Sequence, residues 1–90
     1  MFFVSSPNNA LHAIESYNAS TASIYLNSSS NNSLYAIQSY KNQYGIYLNS
    51  SSNNILDTID SYNNSNHSIY LLSSSNYNIL RNVNAYNSSN

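Results

Sequence analysis

The side chains that could bind a metal ion are few in this 90-residue sequence. A site for a soft metal needs Cys, Met or clustered His ligands. The chain has no Cys, and it offers only Met1, His12 and His67. The two His residues lie two repeats apart and in different columns of the repeat described below. The sequence therefore predicts no metal site, no cofactor, and His side chains that face the solvent.

The acidic residues are the second group that could do chemistry, because enzymes that cleave polysaccharides use paired carboxylates. The acids are Glu15, Asp57 and Asp60. Asp57 aligns with Arg81 of the next repeat, so an ion pair between repeats accounts for both residues. Glu15 and Asp60 share an outward column two repeats apart, about 10 Å, which nominally suits an inverting pair. No other feature supports such a pair, and we predict that the protein is not an enzyme.

Composition and charge narrow the remaining classes of function. The net charge is −1 and charged residues make up 6% of the chain, so the sequence has no basic surface for nucleic acid or for anionic lipid. No apolar run approaches the roughly 20 residues that span a bilayer. The absence of Cys excludes a disulfide-stapled scaffold. We expect one small domain over residues 1–90, which is either whole or a segment of a longer solenoid.

The chain is built from repeats, each of which starts at Ile-Tyr-Leu and continues into a turn rich in Ser and Asn. The Ile-Tyr-Leu segment occurs at residues 24–26, 46–48 and 69–71. Aligned on it, the sequence predicts four coils of 22 or 23 residues, at 1–23, 24–45, 46–68 and 69–90. In this alignment Met1-Phe2-Phe3 opens the first coil, and the one extra residue of the last turn is placed at Tyr77.

Columns of equivalent residues run through the coils and predict the fold. Apolar and polar residues alternate with a period of two in short segments, which indicates strands. Tyr, Asn, Ser and β-branched residues disfavour helices, and the strict register argues against a disordered, prion-like chain. We predict an all-β parallel β-solenoid whose coils stack about 4.8 Å apart, with Asn and Ser ladders in the turns. The predicted core columns are Ile24/Ile46/Ile69, Leu26/Leu48/Leu71, Leu34/Leu56/Leu80, Ile37/Ile59/Val83 and the small column Ser16/Ser39/Ser61/Ala85.

Two motifs resemble the repeats of NosD-type right-handed parallel β-helix proteins. They are Ser-Asn-Asn-Ile-Leu at residues 52–56 and Tyr-Gly-Ile-Tyr-Leu at residues 44–48. The tract 54–64 resembles versions found in secreted or surface repeat proteins of archaea, and the resemblance covers essentially the whole chain. It implies a right-handed β-helix that is extracellular or on the cell surface. Members of the family include a periplasmic accessory protein of copper enzymes and proteins that bind or cleave carbohydrates, so the resemblance implies the fold more specifically than a function.

Outward-facing aromatic columns provide an alternative function. Flat aromatic stripes can stack on sugar rings or on another protein. Tyr is also a good strand residue that stacks on itself between coils, which needs no ligand. The alternative function is therefore a carbohydrate-binding surface module. Its candidate lateral or glycan contacts are Tyr25, Tyr47, Tyr70, Tyr40, Tyr62 and Tyr86, in stripes that begin at Phe2 and Tyr17. Candidate N-glycosylation sites in the loops are Asn18, Asn63, Asn66 and Asn87, each within Asn-x-Ser.

Neither end of the repeat array has the sequence of a cap. Solenoids normally end in atypical repeats that cover the core and the open strand edges, whereas here both outer coils keep apolar columns. Either the chain belongs to a longer solenoid or its ends stack on other copies, and a head-to-tail contact that does not close gives an open filament. A cross-β amyloid of flat, whole-chain layers is a further alternative.

The leading prediction is a structural extracellular subunit that polymerises head to tail with copies of itself. The predicted end-to-end stacking interface consists of Phe2, Phe3, Leu71, Leu80 and Val83. A charged substitution at Phe3 is expected to dissolve the assembly, because it would place a charge in a surface that must become buried.

Overall fold

The computed structural model describes residues 2–73 and 75–89, with the side chains of all of these except Phe2 and Phe3. In this part of the chain there are strands and no helix, so no helix is long and apolar enough to cross a membrane. The strands are β1 (Phe2–Val4), β2 (Ala10–Tyr17), β3 (Ala22–Asn27), β4 (Ser33–Tyr40), β5 (Tyr44–Asn49), β6 (Ile55–Tyr62), β7 (Ile69–Leu72) and β8 (Ile79–Tyr86).

The strands form two parallel sheets, in the orders β1-β3-β5-β7 and β2-β4-β6-β8. Each strand therefore pairs with its equivalent one turn later, which confirms the predicted parallel β-solenoid. The solenoid makes about three turns rather than the predicted four coils, because the four strands of each sheet are joined by three turns of chain. We call β1 with β2 the first rung, β3 with β4 the second, β5 with β6 the third, and β7 with β8 the fourth.

Residues with left-handed backbone bend each rung at equivalent places. Their φ angles lie between 51° and 62°, a region that Asn tolerates better than most residues other than Gly. One set bends β2, β4, β6 and β8 in mid-strand, and it consists of Ala13, Ala36, Thr58 and Asn82. Two further sets lie in the turns and are mostly Asn: Asn8, Asn31, Asn53 and Tyr77, then Asn18, Lys41, Asn63 and Asn87. The Asn content thus has a conformational cause, and the chain closes rungs instead of forming flat layers.

The core consists of aliphatic columns contributed mainly by the two inner rungs. Each of these side chains is at most 1% exposed, and burial of each stabilises the fold by about 1.5–3 kcal/mol. Val4, Leu11, Ile14 and Val83 in the outer rungs pack against the cluster and are partly buried. The predicted core columns are therefore confirmed for Ile24, Leu26, Leu34, Ile37, Ile46, Leu48, Leu56 and Ile59.

The predicted register of the first strand is wrong by one residue. Phe2 pairs with Ile24, and Val4, not Phe3, pairs with Leu26. The shift arises because the segment between β1 and β2 is one residue shorter than its equivalent between β3 and β4. Val4 precedes its partner Leu26 by 22 positions, whereas Ala10 precedes its partner Ser33 by 23. A one-residue shift exchanges the two faces of a strand. Phe2 therefore takes the core register position predicted for Met1, and Phe3 takes the position predicted for Phe2.

The extra residue of the last turn is also not at Tyr77. Tyr77 has the left-handed conformation of its equivalent Asn53, so it is a regular member of the turn. Ser75 takes the place of Ser51 in the Ser ladder described below. Ser73 still has the left-handed conformation of Ser50. The insertion consequently lies before Ser75 in the chain.

Candidate functional site: end faces and side-chain ladders

The His residues predicted to face the solvent have different surroundings. Within residues 2–73 and 75–89 no three His, Cys, Asp or Glu side chains form a group that could hold a metal ion, and Met1 lies outside these residues. His12 is exposed and its ring lies 5.0 Å from that of Tyr35. His67 is instead half-buried, with its ring 4.5 Å from Tyr70 and stacked on Tyr44 at 5.8 Å. The repeat pattern did not indicate this packing, because Tyr44 has Ala22 as its equivalent in the preceding strand.

Two of the acidic residues bind side chains of the neighbouring rung. The predicted pair of Asp57 and Arg81 is confirmed, with Oδ2 and Nη2 3.2 Å apart. Asn82 donates a hydrogen bond of 3.1 Å to Asp57 Oδ1, and this bond is the main reason that the pKa of Asp57 lies below its usual value. Asn84 donates a bond of 3.0 Å to Asp60. These carboxylates therefore connect the third rung to the fourth.

Glu15 lies on the first rung and also reaches across to its neighbour. The Tyr40 hydroxyl donates a 2.6 Å hydrogen bond to Glu15 Oε1. Because this bond is lost when the phenol ionises, it raises the pKa of Tyr40 to about 12. Each acid thus has a partner one rung away, and the arrangement does not bring Glu15 and Asp60 together.

The longer Tyr column is a continuous stack along the solenoid. Successive rings lie 5.1 Å apart, with interplanar angles of 12°, 10° and 7°. The ring faces therefore cover one another, and the inner rings offer mainly their edges to a ligand. The members of this column are Tyr17, Tyr40, Tyr62 and Tyr86.

The second Tyr column is less regular. Tyr25 stacks on Tyr47 at 4.6 Å, whereas Tyr47 and Tyr70 meet edge to face at 4.9 Å. Tyr44 packs beside this column, 5.3 Å from Tyr47 and 5.4 Å from Tyr70. The column is therefore an aromatic cluster and not a flat platform of parallel ring faces.

The candidate glycosylation sites fall into two groups. Asn18, Asn63 and Asn87 are exposed at left-handed corners. Asn66 is half-buried, and its Nδ2, the atom that would carry the sugar, donates a 3.1 Å hydrogen bond to the Tyr44 hydroxyl. The first three sites are thus the accessible ones, and modification of any of them stays a prediction.

Apolar side chains of the fourth rung are exposed, whereas the equivalent side chains of the third rung are buried. Leu71 and Leu80 are 41% and 42% exposed, whereas Leu48 and Leu56 are 0% exposed. Val83 is partly buried against the core. The structure therefore brings these three predicted stacking residues to one end face, which we call the C-terminal face. The side chains of Phe2 and Phe3 lie outside the described part of the structure.

Two further exposed apolar residues of the fourth rung were absent from the predicted interface. Ile79 is 51% exposed and Leu72 is 37% exposed. Ile79 pairs with Ile55, and Leu72 pairs with Asn49. The substitution of Leu for Asn in the last repeat was the available signal, because it adds an apolar side chain to a column that is otherwise polar.

An Asn ladder joins all four rungs at the first turn. The Oδ1 atom of each Asn accepts a hydrogen bond from the backbone N–H of the equivalent Asn in the preceding rung. The three bonds, from Asn9 to Asn32, from Asn32 to Asn54 and from Asn54 to Asn78, measure 2.7, 2.8 and 2.9 Å. Asn32 and Asn54 are 2% and 0% exposed, so the second and third bonds each satisfy a backbone donor that would otherwise be buried without a partner.

A Ser ladder has the same direction. Ser29 N–H donates to Ser51 Oγ at 2.9 Å, and Ser51 N–H donates to Ser75 Oγ at 3.1 Å. Each hydroxyl also donates to a carbonyl of the preceding rung, as from Ser51 to Leu26 at 3.1 Å and from Ser75 to Leu48 at 3.2 Å. The predicted turn ladders are confirmed, but they connect side chains to backbone more than side chains to one another.

Two further ladders lack their polar member in the first rung. In one, Ala19 N–H donates to Asn42 Oδ1, Asn42 N–H to Asn64 Oδ1 and Asn64 N–H to Ser88 Oγ, and Ala19 has no side-chain acceptor. In the other, backbone N–H groups donate to hydroxyls of the preceding rung, from Ser52 to Ser30 and from Asn76 to Ser52. The equivalent of Ser30 in the first rung is Pro7, which has no N–H.

Comparison with known proteins yields no match: no family model fits the chain, and no curated protein and no solved structure matches it. The resemblance to NosD-type repeats stays an expectation that rests on the motifs alone.

Proposed function

We propose that the protein is a structural, non-catalytic β-solenoid subunit that stacks end to end with other copies into a filament, outside the cell or on its surface. One observation carries the proposal: the C-terminal face exposes about two-fifths of Leu71 and of Leu80, in columns that are fully buried one rung earlier. Complete burial of a Leu side chain is worth about 1.5–3 kcal/mol, so covering the exposed two-fifths of each of these would stabilise an association by about 1 kcal/mol.

The strand edges of the C-terminal face support the same proposal. Within the described residues β7 pairs only with β5, and β8 pairs only with β6, so each has one open edge. Open edges of regular strands are templates for the addition of another strand. A rung of the same repeat satisfies such an edge and covers the apolar columns at the same time.

The first rung has the form of that added rung. Its partly buried residues Val4, Leu11 and Ile14 lie at the opposite end of the columns that finish at Leu71, Leu80 and Val83. A contact between these two different faces is heterologous, and it propagates without limit when the rotation does not close. The proposed partner is therefore a second copy of this chain.

The aromatic stripes give less support to the carbohydrate-binding alternative. The inner rings Tyr40 and Tyr62 have both faces covered by neighbouring rings. Stacking on a sugar requires an open ring face.

Negative-stain electron microscopy and size-exclusion chromatography of the 90-residue chain at micromolar concentration test the proposal. We expect long, unbranched fibres of uniform width, set by molecular extents of 28 × 24 × 19 Å. Leu80→Asp is expected to give monomers, because it places a carboxylate in the stacking surface. Tyr77→Asp is the matched control: it adds the same charge at a side chain that is 83% exposed in a turn, and it should still form fibres.

A monomer peak without fibres for the unmodified chain contradicts the proposal. Fibres of Leu80→Asp that match those of the unmodified chain contradict it as well, since the C-terminal face would then not be part of the contact.

A further inference from the structure

We infer that the junction between two copies has one polarity and one register, specified by Asn9 and Ser6 of one copy bonding to the backbone at Asn78 and Ser75 of the other. This inference rests on the proposed filament and adds to it the groups that select how the copies meet. It follows from the direction of the side-chain ladders and from what each ladder presents at the two ends.

The Asn ladder leaves complementary groups at the two ends of the molecule. Every bond in it runs from a backbone N–H of one rung to an Oδ1 of the next. In the described chain no later rung supplies an acceptor above Asn78, and no earlier rung supplies a donor below Asn9. Repeating the same step across a junction brings Asn9 Oδ1 of one copy to the N–H of Asn78 in the other.

The donor half of the Asn9 amide is satisfied inside its own turn. Its Nδ2 donates to the Ser6 carbonyl and to Ser6 Oγ, both at 2.8 Å. Oδ1 is therefore the half of the amide left to accept from a neighbouring rung.

The Ser ladder repeats the complementarity beside the Asn ladder. In the third and fourth rungs the Ser hydroxyl accepts the preceding Ser N–H and donates to a Leu carbonyl of the preceding rung, as Ser51 does with Ser29 and Leu26. The same pattern across the junction gives Ser6 Oγ two partners, the N–H of Ser75 and the carbonyl of Leu71. Asn9 and Ser6 thus act at one corner of the rung.

The other two ladders do not cross the junction, which confines the polar specificity to this corner. Ala19 offers no acceptor to the N–H of Ser88, and Pro7 offers no N–H to Asn76. Two C-terminal faces placed together would set backbone donor against backbone donor at Asn78 and Ser75. Only head-to-tail stacking pairs donors with acceptors while it continues the apolar columns.

Cysteine cross-linking tests the register in the full chain, which has no Cys of its own. Glu15, Gln38, Asp60 and Asn84 form one exposed or half-exposed column in consecutive rungs. In the inferred junction Asn84 of one copy lies one rung, about 4.8 Å, from Glu15 of the next, which is within disulfide range. The variant Glu15→Cys with Asn84→Cys should therefore form disulfide-linked ladders on oxidation of its fibres.

The matched control is Gln38→Cys with Asn84→Cys. Its two positions lie two rungs apart both within one copy and across the junction, about 10 Å, which is beyond disulfide range. It should form fibres and stay uncross-linked. Equal cross-linking of both variants, or none of Glu15→Cys with Asn84→Cys in fibres that do form, overturns the inferred register. Failure of the unmodified chain to form any fibre instead overturns the proposed filament, and this inference with it.

Two single substitutions test the polar contacts themselves. Asn9→Ala removes the acceptor and should raise the monomer concentration in equilibrium with fibres roughly two- to tenfold, the loss of one hydrogen bond. Ala19→Asn should lower that concentration by a similar factor, because it restores the interrupted ladder by offering Oδ1 to Ser88 N–H. An unchanged monomer concentration in both variants overturns the role of the ladders.

Discussion

The third and fourth rungs carry nearly the same residues but differ in what covers them. Leu56 in the third rung is 0% exposed, and its equivalent Leu80 in the fourth is 42% exposed. Ile59 is likewise 0% exposed, whereas Val83 is only partly buried. The difference shows that burial in a solenoid is not a property of a residue or of a rung. It is supplied by the next rung.

The hydrogen bonds of the Asn ladder show the same difference between the third and fourth rungs. The N–H of Asn54 is bound by the Oδ1 of Asn78, and Asn54 is 0% exposed. Asn78 lies in the last rung, and it is half-exposed. An end face is therefore an interior surface that lacks one layer, in its donors as well as in its apolar columns.

The largest effect should come from truncating the two equivalent Leu residues. Leu56→Ala is expected to lower the free energy of unfolding by about 2–5 kcal/mol, because it removes buried methyl groups and leaves a cavity. Leu80→Ala should lower the free energy of unfolding of the monomer by clearly less, since the Leu80 side chain is already 42% exposed. Urea unfolding measures both changes, at protein concentrations too low for fibres to form. Equal losses would show that the fourth rung is covered in the monomer, and would break the comparison.

A second prediction compares two equivalent positions in the inner rungs, Ser23 and Gly45. A Cβ at Gly45 would collide with Ser61 Oγ and with the Ser68 carbonyl. The same two atoms form a 2.8 Å hydrogen bond between β6 and the residue that precedes β7. Gly45→Ala is therefore expected to cost about 1–3 kcal/mol by overpacking.

The matched variant is Ser23→Ala. Among the residues that the structure describes, the buried Ser23 Oγ has no hydrogen-bond partner, so its removal should leave the stability unchanged or raise it slightly. Thermal unfolding of both variants checks the pair. A destabilised Ser23→Ala together with a tolerated Gly45→Ala would show that the two rungs pack differently from the structure.

The apolar columns could be predicted because each coil repeats them with the strand period of two. The Leu and Ile columns through Leu34 and Leu56 are buried as the alternation requires. The register of β1 could not be predicted in this way. Phe2, Phe3 and Val4 are all apolar, so the alternation that fixes a register elsewhere carries no information there.

The ladders were predicted only in part. The repetition of Asn32 and Asn54 at one place in each coil indicated stacking, but nothing in it told whether an amide bonds the next side chain or the backbone. Which group the amide bonds depends on the rotamers of the side chains and on the left-handed corners that orient the backbone N–H groups. The sequence shows that Ala19 and Pro7 interrupt two columns of polar residues. Whether this removes a hydrogen-bond donor or an acceptor can be told only when the direction of each bond is known.

The smallest predicted effect concerns the cross-rung contact between Glu15 and Tyr40. The bond that Tyr40 donates to Glu15 raises the pKa of Tyr40 from 10 to about 12. Because the folded state holds this proton more tightly than the unfolded state, the contribution is fully present below pH 10 and is lost as the pH rises from 10 towards 12. Glu15→Ala removes both the acceptor of this bond and the charge, so the pKa of Tyr40 should return towards 10.

Titration of tyrosine absorbance at alkaline pH measures this change as the difference between variant and unmodified chain. Asp60→Asn is the control, since it removes the carboxylate from the same outward column but not from Tyr40, and its curve should match that of the unmodified chain. A late-titrating tyrosine that persists in Glu15→Ala would mean that the first rung does not reach the second at this position. The contact is solvent-exposed, so its effect on stability is small, but its proton reports directly on whether the first rung is closed onto the second.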